Sequence, residues 1–268
     1  MTRVCARCQQ ELPKSSFTAY QYSLGRGVSC CVSCDNGYHS VTLYAGRSYS
    51  GRYNESGYAT VDIRALRNPF AQGTFRWVAM GEYISGPREG RALSEDYFTL
   101  DIKAVDKALE IIDQFNRLRF MDKVIKVNIP QVWEFAYGLE EFTGQLFLCE
   151  PFIDNYQKFN SNSGWKDDST SWARAMQALS HFSYHLSGGN HVLCDLQGGI
   201  RGDEVILTDP AILSRNGEYG ITDTGPEGMV SFFSTHVCNE FCRPHWIRPN
   251  APKQHFSPVP GTMMIPRR

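Results

Sequence analysis

The chain has 268 residues, 42% hydrophobic and 21% charged, with a formal net charge of −1. That composition suits a folded protein with one main core, and it excludes a global basic field for nucleic acid or an anionic membrane. No apolar run reaches the roughly 18–20 residues of a membrane span, and the opening "MTRVCARCQQELPKSSF" has no apolar signal core, so the expectation is a soluble intracellular protein, cytoplasmic or nuclear.

Nine cysteines are an odd number, and in a reducing compartment metal explains a cluster better than disulfides do. Residues 1–40 read as a small module built on Cys5-x2-Cys8 and Cys31-x2-Cys34. Four thiolates in two such pairs close a tetrahedron around zinc. A module this short buries too little apolar area alone, so metal binding would supply its folding free energy. Cys30 is an alternative to Cys31, and His39 an alternative ligand. The pattern is too common to name a partner, protein or nucleic acid. Arg3, Arg26, Arg47, Arg52, Arg64 and Arg67 make salt-sensitive nucleic-acid binding by the first 70 residues a testable reading, against the near-neutral charge of the whole chain.

Residues 41–69, rich in Gly, Ser, Tyr and Arg without a sustained period, read as a linker or a loosely packed strand. "GTFRWVAMGEYI", 73–84, is rich in strand-forming residues. The stretch 94–116 predicts a helix, opening on a Ser94 cap, with Ile102, Val105, Leu109 and Ile112 at helical spacing. Strands are expected within 123–136 and 145–154, then a helix from about Thr170 to Leu186. Two apolar runs follow, at 191–197 and 204–209. After them come a glycine-bearing loop, a short helix over "MVSFFSTHVCNEFC", and a Pro-rich tail from 243. Cys149 and Cys194 stand alone in apolar strands as small core residues. Strands with one helix, followed by a mixed half, predict two lobes with a cleft between them.

Asp195 and Gln197 interrupt the first apolar run, and Asp209 ends the second. In one continuous strand, residues two apart share a face. Two carboxylates and an amide oxygen are the hard donors Mg2+ prefers; the bland alternative is polar residues at strand ends, bonded to backbone or water. Gly220, Gly225 and Gly228 precede a helix, where exposed N–H groups hold phosphate oxygens, although glycines also mark ordinary turns. His236-x-Cys238-x3-Cys242 offers three zinc ligands if the helix breaks near Thr235. A structural site needs a fourth.

"LSHFSYHLSGGNHVLCDLQGG", "LTDPAI", the glycine loop and "FFSTHVCNEFC" together resemble the atypical alpha-kinases, which include the myosin heavy-chain and elongation-factor kinases. The resemblance covers residues 170–246 in order, is weaker over 73–165, and is absent over 1–69. It implies an α+β, two-lobed kinase fold that binds ATP and Mg2+ in the cleft, carries a structural Zn2+ in the C-lobe, and acts on a protein substrate. Carried over residue by residue, Asp209 is the acid–base group for the acceptor hydroxyl, and Asp195 and Gln197 hold Mg2+. Glu150 of "LCEPF" lies in the adenine hinge, and Asn160 or Asn162 of "FNSNSG" lines the cleft. His181 of "LSHFSY" is the fourth C-lobe zinc ligand, although it falls opposite the Trp172/Met176/Leu179/Ser183 stripe of its helix. The domain layout implied is a four-cysteine zinc-finger-like module at 1–40, a linker at 41–69, an alpha-kinase domain at 70–246 and a tail at 247–268.

The chain departs from the family at the N-lobe lysine that positions ATP, for it has no lysine between Lys14 and Lys103. Met80 cannot replace an ammonium, and Arg76, Arg88 and Arg91 carry a planar fork instead of a compact charge. Lys103 would have to reach inward from its helix. Thr222 and Asp223 also replace the family's usual glycine-loop residues. Three explanations compete: an unusual cation, a degenerate kinase, or a short missing strand near residues 88–96. The expected function is an ATP- and Mg2+-dependent protein serine/threonine kinase. The alternative is a degenerate alpha-kinase fold acting as a nucleotide- or protein-binding scaffold without turnover.

Overall fold

A computed structural model describes residues 2–35, 38–43, 58–62, 71–72, 77–78, 81–85, 99–119, 121–135 and 146–265. The chain divides into two compact units, Met1–Phe98 with Pro130–Phe152, and Thr99–Ile129 with Ile153–Arg268.

In the first unit, β1 (Thr2–Val4) pairs antiparallel with β2 (Glu11–Pro13). Two short helices follow, α1 (Ala19–Ser23) and α2 (Val32–Asp35). The Thr18 side chain caps α1 by accepting from the Gln21 N–H at 3.1 Å, as helix N-termini require. The small core here is Cys5, Phe17, Cys31 and Cys34. The described residues of this unit also form a five-stranded antiparallel sheet. It contains β3 (Tyr38–Leu43), β4 (Tyr58–Asp62) and β7 (Gly81–Ser85), together with β9 (Gln131–Glu134) and β10 (Leu146–Cys149), in the order β10-β9-β3-β4-β7. A separate ladder joins β5 (Ala71–Gln72) to β6 (Trp77–Val78). The expected linker at 41–69 therefore supplies most of two sheet strands, with β4 between β3 and β7. Its polarity hid them, because period-2 alternation is weak there. The stretch 88–96, where a lysine strand would be missing, lies outside the described residues.

The second unit opens with α3 (Thr99–Arg117). Ile102, Ala104, Val105, Ala108, Ile111, Ile112 and Phe115 form its buried face, the helical stripe expected from spacing. The Ser94 cap lies outside the described residues. This face packs on β8 (Val124–Val127) and on α4 (Ser171–Leu186), which is capped by Thr170 accepting from the Ala173 N–H at 3.0 Å. A four-stranded sheet runs β11 (Tyr156–Lys158), β13 (Gln197–Arg201), β14 (Glu204–Leu207), β8, with β14 and β8 parallel.

A second ladder pairs β12 (His191–Cys194) with β15 (Ala211–Ser214). Leu193 and Ile212 face the α3/α4 core. Val192, Cys194, Ala211 and Leu213 face Met229, Phe232 and Phe233 of α5 (Gly225–Thr235). Burial on both faces explains why these strands read as unbroken apolar runs.

The strand expected over 191–197 is not continuous. β12 ends at Cys194, Asp195 turns with φ of 59°, and Gln197 begins β13 in the other sheet. The stretch "GGIRG", 198–202, reads as a turn between the two apolar runs, yet Gly198 and Gly199 are strand residues. A Cβ there would stand 2.0 Å from the Ile206 carbonyl oxygen and 2.3 Å from the Asp154 carbonyl oxygen, respectively. No described helix is long and apolar enough to cross a membrane.

Candidate active site and metal-binding clusters

Asp195 and Asp209 are brought together by register, not by sharing a strand face. Cys194 pairs with Ala211, so the residue after Cys194 and the residue two before Ala211 emerge at the same end of the β12–β15 ladder. Both sit at positive φ, 59° and 48°, a conformation uncommon for residues with a Cβ. Gln197 lies beside them. Its carbonyl accepts from the Thr208 N–H at 3.0 Å, and its side-chain Nε2 donates to the Asp209 carbonyl at 3.3 Å.

The Asp195 side chain is 1% exposed. Its Oδ1 faces the Lys158 ammonium at 2.7 Å, an ion pair without an aligned hydrogen bond, and its Oδ2 accepts from the Thr262 hydroxyl at 2.6 Å. Burial pushes this carboxyl above the usual carboxylate range against the pull of Lys158 and Thr262, and Asp209 adds to the push. Two carboxylates, an amide oxygen and one ammonium form an oxygen-rich set with negative charge left to neutralise. That donor set fits a divalent cation.

Lys158 is the residue that sequence reasoning missed. It stands directly opposite Gln197 in the β11–β13 ladder, a pairing that no spacing along the chain reveals. Lys103, the cation that would have had to reach inward, is committed elsewhere. Its Nζ lies 2.8 Å from Glu218 Oε2 and 4.4 Å from the Tyr219 ring centroid. Arg76, Arg88, Arg91 and Met80 fall outside the described residues.

Asn160 is fully buried. Its Nδ2 donates to Gln177 Oε1 at 3.1 Å and Ser180 Oγ at 3.0 Å, and its Oδ1 accepts from the Leu196 N–H at 3.0 Å. Asn160 thus brackets α4 to the turn carrying Asp195. Asn162 instead binds the C-terminal segment, accepting from the Met263 N–H at 2.7 Å.

In the glycine loop, the Gly225 N–H is taken by Asp223 Oδ1 at 3.0 Å and the Gly228 N–H by the Thr224 carbonyl at 3.3 Å. Asp223 also accepts from the backbone N–H groups of Ser214 and Tyr219 and from the Ser214 hydroxyl. Its charge is absorbed locally, so the loop is an organised turn around a buried carboxylate rather than a row of open donors. Gly220, at φ of 91°, turns the chain ahead of Ile221. Glu150 follows β10 in the first unit.

Two ligand clusters form. Cys5, Cys8, Cys31 and Cys34 offer sulfur atoms that all lie within 4.8 Å of one another, as do the ligand atoms of His181, His236, Cys238 and Cys242. A tetrahedral zinc with ordinary bond lengths has N–N, N–S and S–S edges of about 3.3, 3.6 and 3.8 Å. His236 Nε2 to His181 Nδ1 is 3.2 Å, each of the two measured N–S edges is 3.7 Å, and Cys8 to Cys31 is 3.9 Å. The last distance is far from a disulfide's roughly 2 Å.

His181 Nε2 lies 3.1 Å from the Ile247 carbonyl. A carbonyl only accepts, so Nε2 carries the proton and Nδ1 turns its lone pair into the cluster. Burial drives His181 and His236 down to about 4 and about 3, so both rings are neutral and able to ligate. Burial pushes the Cys242 thiol up to about 12. In the other cluster, the Cys34 thiol draws Cys31 down to about 5, while burial pushes Cys8 up to about 11. The cavity thus resists holding several thiolates without a cation.

The helix stripe that set His181 on the wrong face does not govern α4. From Trp172 to Ser183 nearly every residue is buried, so no face is reserved for solvent. Cys238 and Cys242 do not share a helix, because α5 stops at Thr235 and the ligands lie on the irregular chain beyond it. In the N-terminal cluster Cys31, not Cys30, contributes the sulfur, and the Cys30 N–H is held by Gln21 Oε1 at 2.9 Å. The His39 side chain lies outside the described residues.

Residues 71–242 match the model of the Alpha-kinase family. The chain belongs to the alpha-kinase family. Alpha-protein kinase vwkA of Dictyostelium discoideum is 30% identical over 249 residues, which is 87% of this chain and 36% of that protein. Eukaryotic elongation factor 2 kinase of Homo sapiens is 28% identical, over 79% of this chain and 31% of that protein. This alpha-kinase chain therefore spans about a third of the length of these curated relatives. Among solved structures, the alpha-kinase domain of myosin heavy chain kinase A in complex with AMP superposes with a TM-score of 0.62 at 22% identity, covering 76% of this chain and 97% of that one. An alpha kinase from Entamoeba histolytica superposes with a TM-score of 0.60 at 16% identity, covering 85% and 98%. At these identities the structures establish the alpha-kinase fold.

Proposed function

We propose that the protein is an ATP- and Mg2+-dependent protein serine/threonine kinase. One observation carries this reading: in an alpha-kinase chain, Asp195, Gln197 and Asp209 meet at the end of one strand pair, with the half-buried Lys158 ammonium against Asp195. The crystallised inactive alpha-kinase domain of myosin heavy chain kinase A, solved with ATP, supports the choice of nucleotide.

Phosphoryl transfer needs positioning and neutralisation of spreading charge more than covalent work from the protein. Bound Mg2+, held by Asp195 and Gln197, would supply positive charge against the triphosphate. Asp209 orients the acceptor hydroxyl and takes its proton while the hydroxyl oxygen bonds to the γ-phosphorus and the bond to the ADP oxygen breaks. Glu150 and Asn162 are the proposed contacts for adenine and cleft. Asn160, Gly225 and Gly228 act through the bonds that shape the turn, and Gly220 sets its start. His181, His236, Cys238 and Cys242 hold a structural Zn2+, and Cys5, Cys8, Cys31 and Cys34 hold a second one in the N-terminal module. The acceptor is a protein.

Within that N-terminal module, Arg3 stacks on Tyr22 and binds Ser29, and Arg7 donates to the Cys34 carbonyl. Arg3 and Arg7 therefore serve the module's own fold; Arg47, Arg52, Arg64 and Arg67 lie outside the described residues, and a salt titration of nucleic-acid binding tests the rest of the set.

The deciding experiment is transfer from labelled ATP to protein acceptors by the zinc-loaded full chain. Asp209→Ala should lower the rate at least about a hundredfold, the low end for losing a general base. A second reading, a scaffold without turnover, is favoured by the absence of any lysine between Lys14 and Lys103 and by the commitment of Lys103 to Glu218. Its signature is stabilisation by ATP and Mg2+ of about 2.7 kcal/mol at 100 times the dissociation constant, with no transfer to any acceptor.

A further inference from the structure

The C-terminal segment lies beyond the residues the family match covers, and by composition it reads as a Pro-rich tail. It is nevertheless stitched along the second unit. The His255 N–H donates to Ser231 Oγ at 2.9 Å, and the Val259 N–H to Ser163 Oγ at 3.0 Å. Ser161 Oγ donates to the Val259 carbonyl at 2.7 Å, and the Ile265 N–H to the Ile221 carbonyl at 2.8 Å. Asn162 clamps Met263 from both sides, accepting from its N–H at 2.7 Å and donating to its carbonyl at 2.6 Å. That amide clamp mimics a strand partner and sets the register of the residue before it. The outcome is a directed chain of hydrogen bonds: Lys158 Nζ donates to Thr262 Oγ1 at 3.3 Å, and the Thr262 hydroxyl donates to Asp195 Oδ2 at 2.6 Å.

We propose that Thr262 is a positioning residue that fixes the Asp195 carboxylate for a divalent cation, making residues 259–265 a working wall of the site. This inference rests on the reading of Asp195 as a cation-holding carboxylate. Asp195 sits at φ of 59°, and such a conformation persists only where its surroundings hold it. Two groups hold its carboxylate, one at each oxygen: Lys158 at Oδ1 and Thr262 at Oδ2. The hydroxyl is the better clamp for a metal carboxylate. It is neutral, so it does not repel the cation, and it uses only one of the two lone-pair directions on Oδ2. Lys158, accepted by the far side of the same hydroxyl, fixes which way the hydroxyl proton points. Metal-ligating carboxylates are commonly oriented by such partners, whose loss weakens metal binding roughly 10- to 100-fold.

An occluding tail would predict the reverse, with cation binding strengthened once the hydroxyl is gone. The sign of the change therefore decides. The test titrates Mn2+ alone into the zinc-loaded full chain and follows free Mn2+ by electron paramagnetic resonance. Asp195→Asn defines the binding that belongs to this carboxylate. Thr262→Val keeps the shape and removes the donor, and should weaken that binding about tenfold. Thr262→Ser restores the donor and should return binding to near the native value, with both variants melting cooperatively. Equal or tighter Mn2+ binding by Thr262→Val overturns the inference while leaving the role of Asp195 intact. No Mn2+ binding that Asp195→Asn removes overturns that role, and the inference with it.

Discussion

At the residue scale, Asp195 and Asp223 are both buried carboxylates, and their neighbours set them to different tasks. Asp223 accepts from three backbone N–H groups and a hydroxyl, so its charge is spent on holding a loop. Asp195 has one ammonium and one hydroxyl, fewer partners than Asp223, and its oxygens keep lone pairs open for a ligand. Lys158→Met should destabilise the protein by about 3 kcal/mol in urea unfolding, because it leaves a buried carboxylate without its counter-charge. Lys158→Met combined with Asp195→Asn should recover much of that loss; a double variant as unstable as Lys158→Met would refute the pairing. Asn160→Ala should cost about 2–3 kcal/mol by orphaning groups around Gln177, Ser180 and Leu196, again read from the urea midpoint. Asp195, Gln197 and Asp209 were legible along the chain as polar residues out of place in apolar runs. Lys158 and Thr262 were not, because Lys158 reaches Asp195 only through strand pairing and Thr262 only from a segment 67 residues further along the chain.

At the element scale, the candidate ligand clusters join pieces of chain that lie far apart in the sequence. The C-lobe cluster ties α4, through His181, to the chain leaving α5, through His236, Cys238 and Cys242. Metal analysis should find two zinc ions per chain, one for each cluster. Cys242→Ser should reduce the count to one and lower the melting temperature, and an unchanged zinc content would show that the cluster does not hold the ion. Gly228 sets how closely α5 approaches its own N-terminal turn, since a Cβ there would stand 1.7 Å from Thr224 Oγ1. Gly228→Ala should therefore cost at least about 1–3 kcal/mol, the usual range for overpacking, measured by thermal or urea unfolding. The helix α3 was readable from its periodic apolar positions and α4 from its span, whereas the helix expected to run on through Cys242 stops at Thr235, the break on which His236 as a ligand depended. The burial of α4 on nearly all sides was not readable, because a stripe argument assumes one solvent face, and tertiary packing removed it.

At the scale of the whole molecule, the residues that match the family are fewer than the residues the fold uses. β3 and β4 lie before residue 71 and supply two of the five strands of their sheet. The segment after residue 242 bonds to Ser163, Asn162, Ser231 and Ile221 and brings Thr262 to Asp195. A fragment limited to residues 71–242 should therefore lack a cooperative unfolding transition by circular dichroism, whereas the full chain shows one. A cooperative fragment would show that the flanking strands and the tail are dispensable. The amino-acid sequence alone pointed to the family and to the candidate thiol, imidazole and carboxylate groups, because metal and phosphate chemistry restrict residue type and local spacing, with His181 reached only through the family resemblance. Only the tertiary structure decided how those groups meet. A left-handed turn at Asp195 sends the chain from one sheet to another, and β-ladder register and a returning tail, set by long-range hydrogen bonds, deliver Lys158 and Thr262 to its two oxygens.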